Sequence, residues 1–439
     1  MAAWLVLGCW QVAHVLRSDG WNAPPHPYGD GPDYESIATS LSRGEGFQFA
    51  WQDAEWQRPY REAEHATEYT QLDRTDWPGP TASRPPGLPS IIALVYCVVP
   101  RGSTAFACIR VLQALCLATS AAIAVGWSYR CTARWHYSTW APQLAACLAL
   151  ALALLDRTIR TYAMDFLTEP WALLLVTLFW ALAIESLGAS HPYRWSVAMG
   201  LCLGLLILTR AIAVFWLPGL AIFSWLAVPR RFVRARLRIV SVFVFCSLLV
   251  VSPWWIRNMR VLDAWMPWGG QGSASLRGGY SDEALNDWGN WHPEPESRIQ
   301  TRIDEQPESL GWTAAQREVR LAELASAETR AWVSQNAWNL PRLIGMRIAS
   351  HWGPYSGASL IWRLGVVAGW LVVFSLRRRE AIWILGLPLV STCTVALLYE
   401  TGGRFLVPLY SLLYLTAAVG ATHCLAAAIA GFRKDTRLR

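Results

Sequence analysis

Residues 29–47 read GDGPDYESIATSLSRGEGF and follow the first apolar run of a chain that is otherwise largely hydrophobic. Apolar side chains recur there at helical spacing, which places them on one face of a short amphipathic helix. These side chains are Tyr34, Ile37, Ala38 and Leu41. Asp33 stands where a helix N-cap belongs, and Gly44 and Gly46 supply the stop. Asp30 lies one turn earlier, on a Gly-Pro loop, and has no evident structural role. The stretch therefore presents a free carboxylate beside a membrane surface.

Composition indicates a membrane protein that crosses the bilayer many times. Of the 439 residues, 54% are hydrophobic and only 16% are charged, and the mean hydropathy is +0.24. A soluble protein of this length carries about a quarter charged residues. The net charge of +7 comes almost wholly from arginine, since Lys434 is the one lysine in the sequence. Such charge marks cytoplasmic loops in a membrane protein, so we predict an all-α polytopic membrane protein with no nucleic-acid partner.

Apolar runs long enough to cross a bilayer as a helix recur along the chain. The predicted spans are 1–16, 104–128, 139–155, 168–187, 195–209, 211–228, 237–254, 359–376, 381–399 and 405–430. A further apolar run, 86–100, is short and flanked by proline. We predict that this run lies in the membrane plane or re-enters from the outer face. An amphipathic helix is predicted at 313–336.

Arginine-rich loops set the predicted orientation, because cytoplasmic loops carry an excess of Lys and Arg. These loops contain Arg230, Arg231, Arg234, Arg236 and Arg238, the run 377–379 and the tail 433–439, and counting spans places Arg130 and Arg134 on the same side. The count leaves two polar regions outside, the first polar region, 17–85, and the second polar region, 256–357. We therefore divide the chain into three parts. The N-terminal transmembrane module, 1–255, includes the first polar region. The second polar region, 256–357, is the middle part, and the C-terminal transmembrane helices, 358–439, are the last.

Charged residues at the ends of apolar runs are expensive in a membrane and are candidates for function. On the predicted external face they are Asp30, Asp33, Arg84, Glu169, Arg210, Arg257 and Arg404, with Tyr34 and Asn258 beside them. Each also has a structural explanation, since acidic residues cap helices and arginines anchor spans at the interface. Arg210 has few polar neighbours in sequence and needs an anionic partner from the protein or from a ligand. Arg257 and Arg404 suit either anchoring or the binding of a phosphate at headgroup depth.

In this order the residues resemble the motifs of one enzyme family, the GT-C membrane glycosyltransferases of the dolichyl-phosphate-mannose–protein mannosyltransferase superfamily, which includes the lipid A aminoarabinose transferases. The matching motifs are D-x-x-x-Y-x-x-I-A-x-x-L-x-x-G-x-G-F at 30–47, R-P-P-G-x-P at Arg84, T-E-P at Thr168, L-T-R at Leu208, P-W-x-x-R-N at Pro253 and R-F-x-x-P at Arg404. The resemblance covers nearly the whole chain. The sequence departs from the family pattern in its short first span and at Leu88, where an aromatic residue is common.

The resemblance implies a GT-C type bundle of about 10–11 transmembrane helices with external juxtamembrane helices. It also implies an enzyme that moves a sugar, with inversion, from a polyprenyl-phosphate donor to an acceptor on the extracytoplasmic face. Asp30 would be the catalytic base and Glu169 a second acidic residue of the site. The donor phosphate would lie near four arginines, which are Arg84, Arg210, Arg257 and Arg404. The side chains that would support the site are Asp33, Tyr34 and Asn258.

The chemistry of such a transfer agrees with these residue types. A hydroxyl or amine that attacks a sugar carbon needs a proton acceptor within reach, and the departing phosphate develops charge that fixed cations stabilise. The expected partners are the lipid-linked sugar and membrane lipid, while the acceptor stays open between protein, lipid and glycan. No cofactor and no metal are expected, because no dense Asp/Asn cluster and no His/Cys spacing indicates a metal site. The expected location is the plasma (inner) membrane of a prokaryote.

Two other functions remain open from the sequence. A transporter or flippase of lipid-linked saccharides would place charges deep within its spans, often with internal repeats. The charges found here lie at span ends on one predicted side, which favours a surface-facing active site. A ligase or polymerase of surface glycans would use a diphosphate-linked donor, and the sequence does not separate it from a transferase with a monophosphate donor.

Overall fold

The computed structural model describes residues 1–74, 77–135, 138–189, 192–228, 233–353 and 357–435. These residues are predominantly helical, and the β contacts recorded among them are isolated bridges that join Gln48 to Pro80 and Asn290 to Glu400. The prediction of an all-α polytopic membrane protein is confirmed for the described residues. Part of the predicted cytoplasmic set, Arg230, Arg231 and residues 436–439, lies outside the described residues.

The helices follow the predicted pattern of long apolar spans separated by two polar regions. In chain order the α-helices are α1 (Ala2–Arg17), α2 (Gly31–Ser42), α3 (Ala54–Arg61), α4 (Gly87–Val98), α5 (Ser103–Trp135), α6 (Ala141–Leu155), α7 (Arg157–Thr161), α8 (Glu169–Ser186), α9 (Pro192–Thr209), α10 (Trp216–Ala227), α11 (Val233–Leu262), α12 (Gln271–Gly279), α13 (Asp282–Asn286), α14 (Glu294–Asp304), α15 (Ala314–Gln335), α16 (Leu340–Trp352), α17 (Gly357–Leu376), α18 (Arg378–Leu397) and α19 (Tyr410–Asp435). Short 3-10 helices occur at Ala66–Glu68, Thr70–Asp73, Ala211–Phe215, Pro307–Gly311, Ala337–Asn339 and Arg404–Leu409.

The transmembrane bundle contains helices of two lengths. In the described part of the chain, five helical segments are long and apolar enough to cross a membrane. They are Ser103–Arg134, Glu169–Ser186, Val233–Leu262, Arg379–Leu397 and Arg404–Ala430. Shorter apolar helices, including α6 and α10, complete the bundle. The protein is therefore an integral membrane protein, and each predicted span coincides with a helix.

Close helix packing holds the bundle together where small residues line a contact. On α9, a Cβ atom added at Gly200 would lie 2.6 Å from the carbonyl oxygen of Phe243 on α11. A Cβ added at Gly204 would lie 2.6 Å from the Cβ of Val250. Glycines spaced by one helical turn let two backbones approach closely in a membrane, where packing rather than hydrophobicity drives helix association. This contact fixes the C-terminal end of α9, where Arg210 follows.

Helix α2 begins earlier than the sequence suggested. Its first residue is Gly31 and its N-cap position is Asp30, whose side chain makes no capping hydrogen bond. The prediction that Asp33 caps this helix is wrong, because Pro32 favours helical geometry within the first turn and Asp33 therefore lies inside it. The predicted apolar face of α2 is buried: α2 packs on α4, and Tyr34 and Ala38 belong to an apolar cluster that also contains side chains of α4 and α5.

Helix α4 is short for a membrane-spanning element. Its 12 residues extend about 18 Å, which is less than the hydrocarbon core of a bilayer. Its orientation to the membrane plane stays a prediction, as does the division of the chain into three parts.

The second polar region forms a small helical layer around α15. This helix matches the predicted amphipathic segment and starts with a capping box between Thr313 and Gln316. Its buried face packs on α12 and α14. The backbone N–H of Ala314 donates to the carbonyl of Pro78, 2.9 Å away. That bond joins the second polar region to the loop that precedes Arg84.

Candidate active site

Charged side chains from separate elements meet where several helices end. The members of this charge cluster are Asp30 before α2, Asp33 in its first turn, Arg84 before α4, Glu169 at the start of α8, Arg210 after α9 and Arg404 ahead of α19. The helix ends that carry them therefore lie on one face of the bundle.

Arginines connect the carboxylates of the charge cluster to one another. Arg84 reaches Asp30 Oδ1 through Nη1 at 2.9 Å and Asp33 Oδ2 through Nη2 at 2.6 Å. Arg404 donates from Nη2 to Asp30 Oδ2 at 3.2 Å and from Nε to Glu169 Oε1. Arg210 donates from Nη1 to the same Glu169 oxygen at 2.9 Å. One chain of ion pairs thus runs across the whole site.

Glu169 is the most deeply placed acid of the cluster. Its side chain is fully buried, and it is the first residue of α8, where the helix dipole favours an anion. Thr168 holds the predicted N-cap position, but its side chain makes no capping hydrogen bond. The second oxygen of Glu169, Oε2, is buried and has no hydrogen-bond partner among the described residues. One strong acceptor is thus left for a substrate group.

Neighbouring arginines control the ionisation of Asp30. Burial raises the pKa of this carboxyl, but Arg84 and Arg404 more than offset that effect and lower the pKa to about 2. Burial lowers the pKa of Arg84, and Asp30 and Asp33 more than reverse this, so Arg84 stays charged. Asp30 is accordingly ionised at neutral pH, and it is a weak base as long as both arginines remain paired with it.

Tyr34 belongs to the site as a neutral group. The Arg84 guanidinium carbon lies 5.5 Å from the centre of the Tyr34 ring. Burial, followed by the charge of Asp30, raises the pKa of the Tyr34 phenol. The phenol therefore keeps its proton near neutral pH and can act as a hydrogen-bond donor.

The structure does not join Arg257 and Asn258 to the charge cluster. Arg257 donates to the carbonyls of Thr81 and Phe47 and packs on the ring of Trp254, with 4.8 Å to the ring centre. Asn258 donates from Nδ2 to the carbonyl of Pro267 at 2.9 Å. These contacts hold the first polar region against α11, and the predicted place of Arg257 at the donor phosphate stays a prediction.

Sequence reasoning missed Asp165, which lies behind Asp30. Its carboxylate accepts hydrogen bonds from the backbone N–H of His26 at 3.1 Å and of Phe166 at 2.8 Å. A Cβ added at Gly31 would lie 2.8 Å from Asp165 Oδ1. The glycine after Asp30 therefore allows this close approach, and the Gly-Asp-Gly sequence was the available signal.

Two further buried carboxylates hold the segments that carry cluster arginines. Glu318 accepts from the Thr81 hydroxyl and, at 3.0 Å, from the N–H of Ala82, just before Arg84. Glu400 accepts from the N–H of Thr401 at 2.7 Å and of Gly403 at 2.9 Å, just before Arg404, and its other oxygen lies 2.8 Å from His351 Nδ1. Glu318 is remote in sequence from Thr81 and Ala82, and His351 is remote from Glu400, so no local pattern indicated these contacts. The bonds from Thr401 and Gly403 to Glu400 are local.

An apolar slot opens beside Arg210 on the membrane side of the cluster. It lies between the end of α9, α10, α18 and the 3-10 turn after Arg404. Its walls include Leu206, Ile212, Trp216, Val395 and Phe405. The slot thus offers a hydrophobic surface directly next to a fixed cation.

Comparison with known proteins identifies the fold. No protein-family model and no curated protein sequence matches the chain. The structure is similar to the Archaeoglobus fulgidus oligosaccharyltransferase complex with Zn and sulfate, with TM-score 0.53 and 11% identity over 97% of this chain and 49% of that chain. It is also similar to the oligosaccharyltransferase AglB from the same organism in complex with an inhibitory peptide and a dolichol-phosphate, with TM-score 0.52 and 12% identity over 100% of this chain and 51% of that chain.

A bacterial structure matches less well. ArnT from Cupriavidus metallidurans bound to undecaprenyl phosphate gives TM-score 0.40 and 14% identity over 95% of this chain and 78% of that chain. The two archaeal likenesses show a shared fold, and the resemblance to GT-C proteins is confirmed at that level. The chain spans about half the length of the archaeal oligosaccharyltransferases.

The comparison also corrects one prediction. We expected no metal, whereas one of the archaeal structures of this fold is a complex with Zn, and that finding overturns the expectation. Within the described residues, no three His, Cys, Asp or Glu side chains are grouped so as to hold a metal ion. The acids of the charge cluster are instead paired with arginines. The charge cluster as placed does not fit a metal ion, and we assign no part of the proposed reaction to one.

Proposed function

We propose that this integral membrane protein with the GT-C fold is a glycosyltransferase that takes a sugar from a polyprenyl-phosphate donor. The sugar would pass, with inversion, to a protein, lipid or glycan acceptor on the extracytoplasmic face of a prokaryotic plasma membrane. The observation that carries the proposal is the contact of Arg404 with both Asp30 and Glu169. Two acids and three arginines at helix ends form a site for a phosphate ester and a proton.

The arginines of the cluster would bind the donor phosphate. A guanidinium matches the geometry of a phosphate through its planar fork of donors. Arg84, Arg210 and Arg404 now direct these donors at carboxylates. A phosphate that draws Arg84 and Arg404 towards itself weakens their hold on Asp30, so its pKa rises and Asp30 becomes a better base. Donor binding would thus activate the acid that receives the proton.

The transfer step follows from that arrangement. The acceptor oxygen or nitrogen attacks the anomeric carbon and forms the new glycosidic bond, while its proton passes to Asp30. The bond between the anomeric carbon and the phosphate oxygen breaks, and the polyprenyl phosphate leaves with the electron pair. Arg84 and Arg404 stabilise the charge that develops on the leaving phosphate. Glu169 keeps Arg404 and Arg210 in place, and its free oxygen can accept from a substrate hydroxyl.

A long hydrocarbon tail needs a hydrophobic path from the site into lipid. The apolar slot beside Arg210 has a volume of only about 20 Å³, which is room for a single water molecule. A prenyl tail could lie against Trp216 and Phe405 only after the helices around the slot move apart, so a lipid-linked donor requires such a movement.

The arrangement of charge at the other end of the bundle supports the proposed orientation. Arg134, Arg377 and Arg379 line one cavity there, and Arg377 Nη2 donates to the carbonyl of Arg134 at 3.3 Å. An excess of arginine in the loops between spans is typical of the cytoplasmic side. The arginines of the charge cluster are instead paired with acids. The charge cluster lies on the opposite face, as an extracytoplasmic active site requires.

Transfer in proteoliposomes tests the proposal. Polyprenyl monophosphates that carry labelled hexoses or pentoses would be supplied with a membrane extract of cells lacking the protein as the source of acceptors. We expect label to leave the monophosphate donor and polyprenyl phosphate to accumulate. Label that leaves only a polyprenyl diphosphate donor would favour a glycan ligase, and label that crosses the bilayer without donor cleavage would favour a flippase.

The Asp30→Asn variant tests the base. It should insert and fold normally, and it should lose transfer by at least 100-fold, in line with the usual contribution of a positioned general base. Asp19→Asn, a change at an exposed acid, is the matched control and should transfer at the normal rate. Normal transfer by Asp30→Asn would exclude Asp30 as the base.

A further inference from the structure

A cavity of about 210 Å³ lies on the first polar region, apart from the charge cluster. Residues of segment 45–53, together with Arg74 and residues 77–79, contribute its walls, and the bridge between Gln48 and Pro80 holds the two parts together. We name it the aromatic cavity. Its main lining residues are Glu45, Phe49, Trp51, Gln52, Arg74 and Trp77.

One wall of the aromatic cavity is a rigid stack of rings. Phe49 and Trp51 are parallel, with ring centres 3.7 Å apart and an angle of 15° between the rings. Trp77 meets Trp51 edge-on at 6.0 Å. The Arg74 guanidinium lies over Trp51 at 5.3 Å and over Trp77 at 5.5 Å. These mutual contacts fix the rings before any ligand arrives, so binding orders few side chains.

The aromatic cavity also contains a buried donor without a partner. Trp51 is only 3% exposed. Its indole N–H has no hydrogen-bond partner among the described residues. A buried donor left unpaired costs about 1–3 kcal/mol, so such a group calls for an acceptor. At the rim, Glu45 and Gln52 are exposed and supply a carboxylate and an amide beside the rings.

This combination selects a particular kind of ligand. A pyranose ring has an apolar face of C–H groups, which packs on aromatic rings, and an edge of hydroxyls, which both donate and accept hydrogen bonds. The cavity supplies aromatic surface, a buried N–H donor, an arginine, an amide and a carboxylate. A purely apolar ligand would leave the Trp51 N–H unpaired, and a phosphate would meet the acid Glu45. We infer that the aromatic cavity binds a neutral saccharide.

A second, smaller cavity borders the aromatic cavity. It has a volume of about 120 Å³, and Arg74 and Trp77 line both cavities. Gln300 lines the second cavity and donates from Nε2 to Glu296 Oε1 at 3.2 Å. Further polar groups therefore lie beside the aromatic cavity.

The saccharide would belong to the acceptor, an inference that rests on the proposed function. The donor sugar must lie at the charge cluster, where its phosphate binds. The aromatic cavity is lined by other residues, so a saccharide bound there would be part of the acceptor. The geometry thus points to a glycan, rather than a protein or a simple lipid, as the acceptor class.

Saturation-transfer NMR on the full chain in nanodiscs tests the binding. The probes are methyl pyranosides of glucose, galactose, mannose and N-acetylglucosamine and their β-linked disaccharides, without donor. We expect at least one to bind, and we expect Trp77→Ala to weaken it at least tenfold. Trp51→Phe keeps a ring but removes the N–H and should weaken it about tenfold. Trp338→Ala, at a residue that is 97% exposed, is the control and should bind normally.

Three outcomes would overturn the inference, two of them in the binding experiment itself. One is that no pyranoside gives a signal, and the other is that Trp77→Ala binds as tightly as the unchanged protein while both melt at the same temperature. Displacement of the bound pyranoside by a polyprenyl-phosphate sugar would also overturn it, because the cavity would then hold the donor sugar.

A combined experiment separates this inference from the proposed function. Asp30→Asn should bind the pyranoside normally and fail to transfer. Trp77→Ala should raise the KM for a glycan acceptor and leave the KM for the donor unchanged. If the unchanged protein binds the pyranoside but transfers no sugar, the result would contradict the proposed transferase activity and would still support the saccharide-binding site.

Discussion

At the scale of single residues, the site depends on arginines shared between acids. Arg404 forms an ion pair with Asp30 and another with Glu169, and so connects the two acids. Glu169 has Arg210 as a second partner, and Asp30 has Arg84. The loss of one arginine therefore leaves Asp30 and Glu169 each with a partner, and the site can survive the substitution as a folded structure. This makes the arginines suitable for kinetic tests.

Arg404→Ala should impair donor binding most. The change removes a two-donor cation that the proposal places on the phosphate, so we expect the donor KM to rise at least tenfold in the transfer assay. Arg404→Lys is the matched variant, since it keeps the charge but loses the fork of donors. Its donor KM should lie between those of the unchanged protein and Arg404→Ala. An unchanged donor KM in Arg404→Ala would contradict the role of Arg404 at the phosphate.

Gly31→Ala should disturb the position of Asp30. The added methyl group would lie 2.7 Å from the Cβ of Pro25 and 2.8 Å from Asp165 Oδ1, so the loop that carries Asp30 must shift. We expect kcat to fall by one to two orders of magnitude, since small misplacements of a catalytic group have large effects. Gly345→Ala is the control, because a Cβ there meets nothing within 4 Å. Equal kcat values for the two variants would show that Asp30 tolerates the shift.

At the scale of elements, the second polar region fastens the first. Glu318 on α15 accepts from Thr81 and Ala82, and Arg257 on α11 donates to the carbonyl of Thr81. The segment before Arg84 is therefore held from both sides by elements far away in sequence. The orientation of Arg84 towards Asp30 depends on this clamp.

The clamp should make stability depend on pH. Burial raises the pKa of Glu318 to about 7 although Thr81, Ala82 and Arg257 oppose the rise, whereas the unfolded value is 4.5. Between pH 4.5 and 7 the folded protein therefore keeps a proton on Glu318 that the unfolded chain releases. The free energy of unfolding accordingly falls as the pH rises from 4.5 to 7, and this contribution is constant above pH 7. The loss amounts to about 3 kcal/mol.

Melting temperatures over this pH range measure the effect. Glu318→Gln keeps an acceptor oxygen but cannot ionise. We expect the melting temperature of the unchanged protein to fall relative to that of Glu318→Gln between pH 5 and 7.5, and the difference to stay level from there to pH 9. A constant difference across the whole range would show that Glu318 is ionised throughout.

The sequence predicted elements better than contacts. The spans were predictable because the apolar length that crosses a bilayer is set by the membrane, and α15 was predictable from its period. The start of α2 was misjudged because Asp33 resembles a cap, whereas Pro32 and the pull of Arg84 place it inside the helix. Cluster membership was predictable from charges at span ends.

The contacts that position those charges were not predictable. Glu318 pairs with a segment more than two hundred residues away, and Arg257 turned to that segment rather than to the acids. The buried Trp51, the half-buried Trp77 and the exposed Gln52 of the aromatic cavity lie in a stretch whose sequence shows no pattern that indicates a cavity. Such pairings arise from tertiary packing, and a local pattern carries no information on them.

At the scale of the whole molecule, charge is divided between the two ends of the bundle. One end carries the charge cluster and both polar regions. The other carries Arg134, Arg377 and Arg379 around one cavity. Because arginine-rich loops tend to stay on the cytoplasmic side during insertion, this division agrees with the proposed extracytoplasmic site. Under that proposal a lipid-linked sugar would be presented at the outer leaflet.

Single cysteines in a cysteine-free variant test that orientation directly. Trp338→Cys lies in the second polar region at a position that is 97% exposed, and Arg379→Cys is exposed at the opposite end. With intact cells of a prokaryotic host whose outer barrier passes the reagent, a membrane-impermeant maleimide should label Trp338→Cys at once. It should label Arg379→Cys only after the plasma membrane is opened, and the cysteine-free protein should stay unlabelled. The reverse pattern would place the charge cluster in the cytoplasm, where a donor at the outer leaflet is out of reach, and the proposed reaction would then have to use a donor at the inner leaflet.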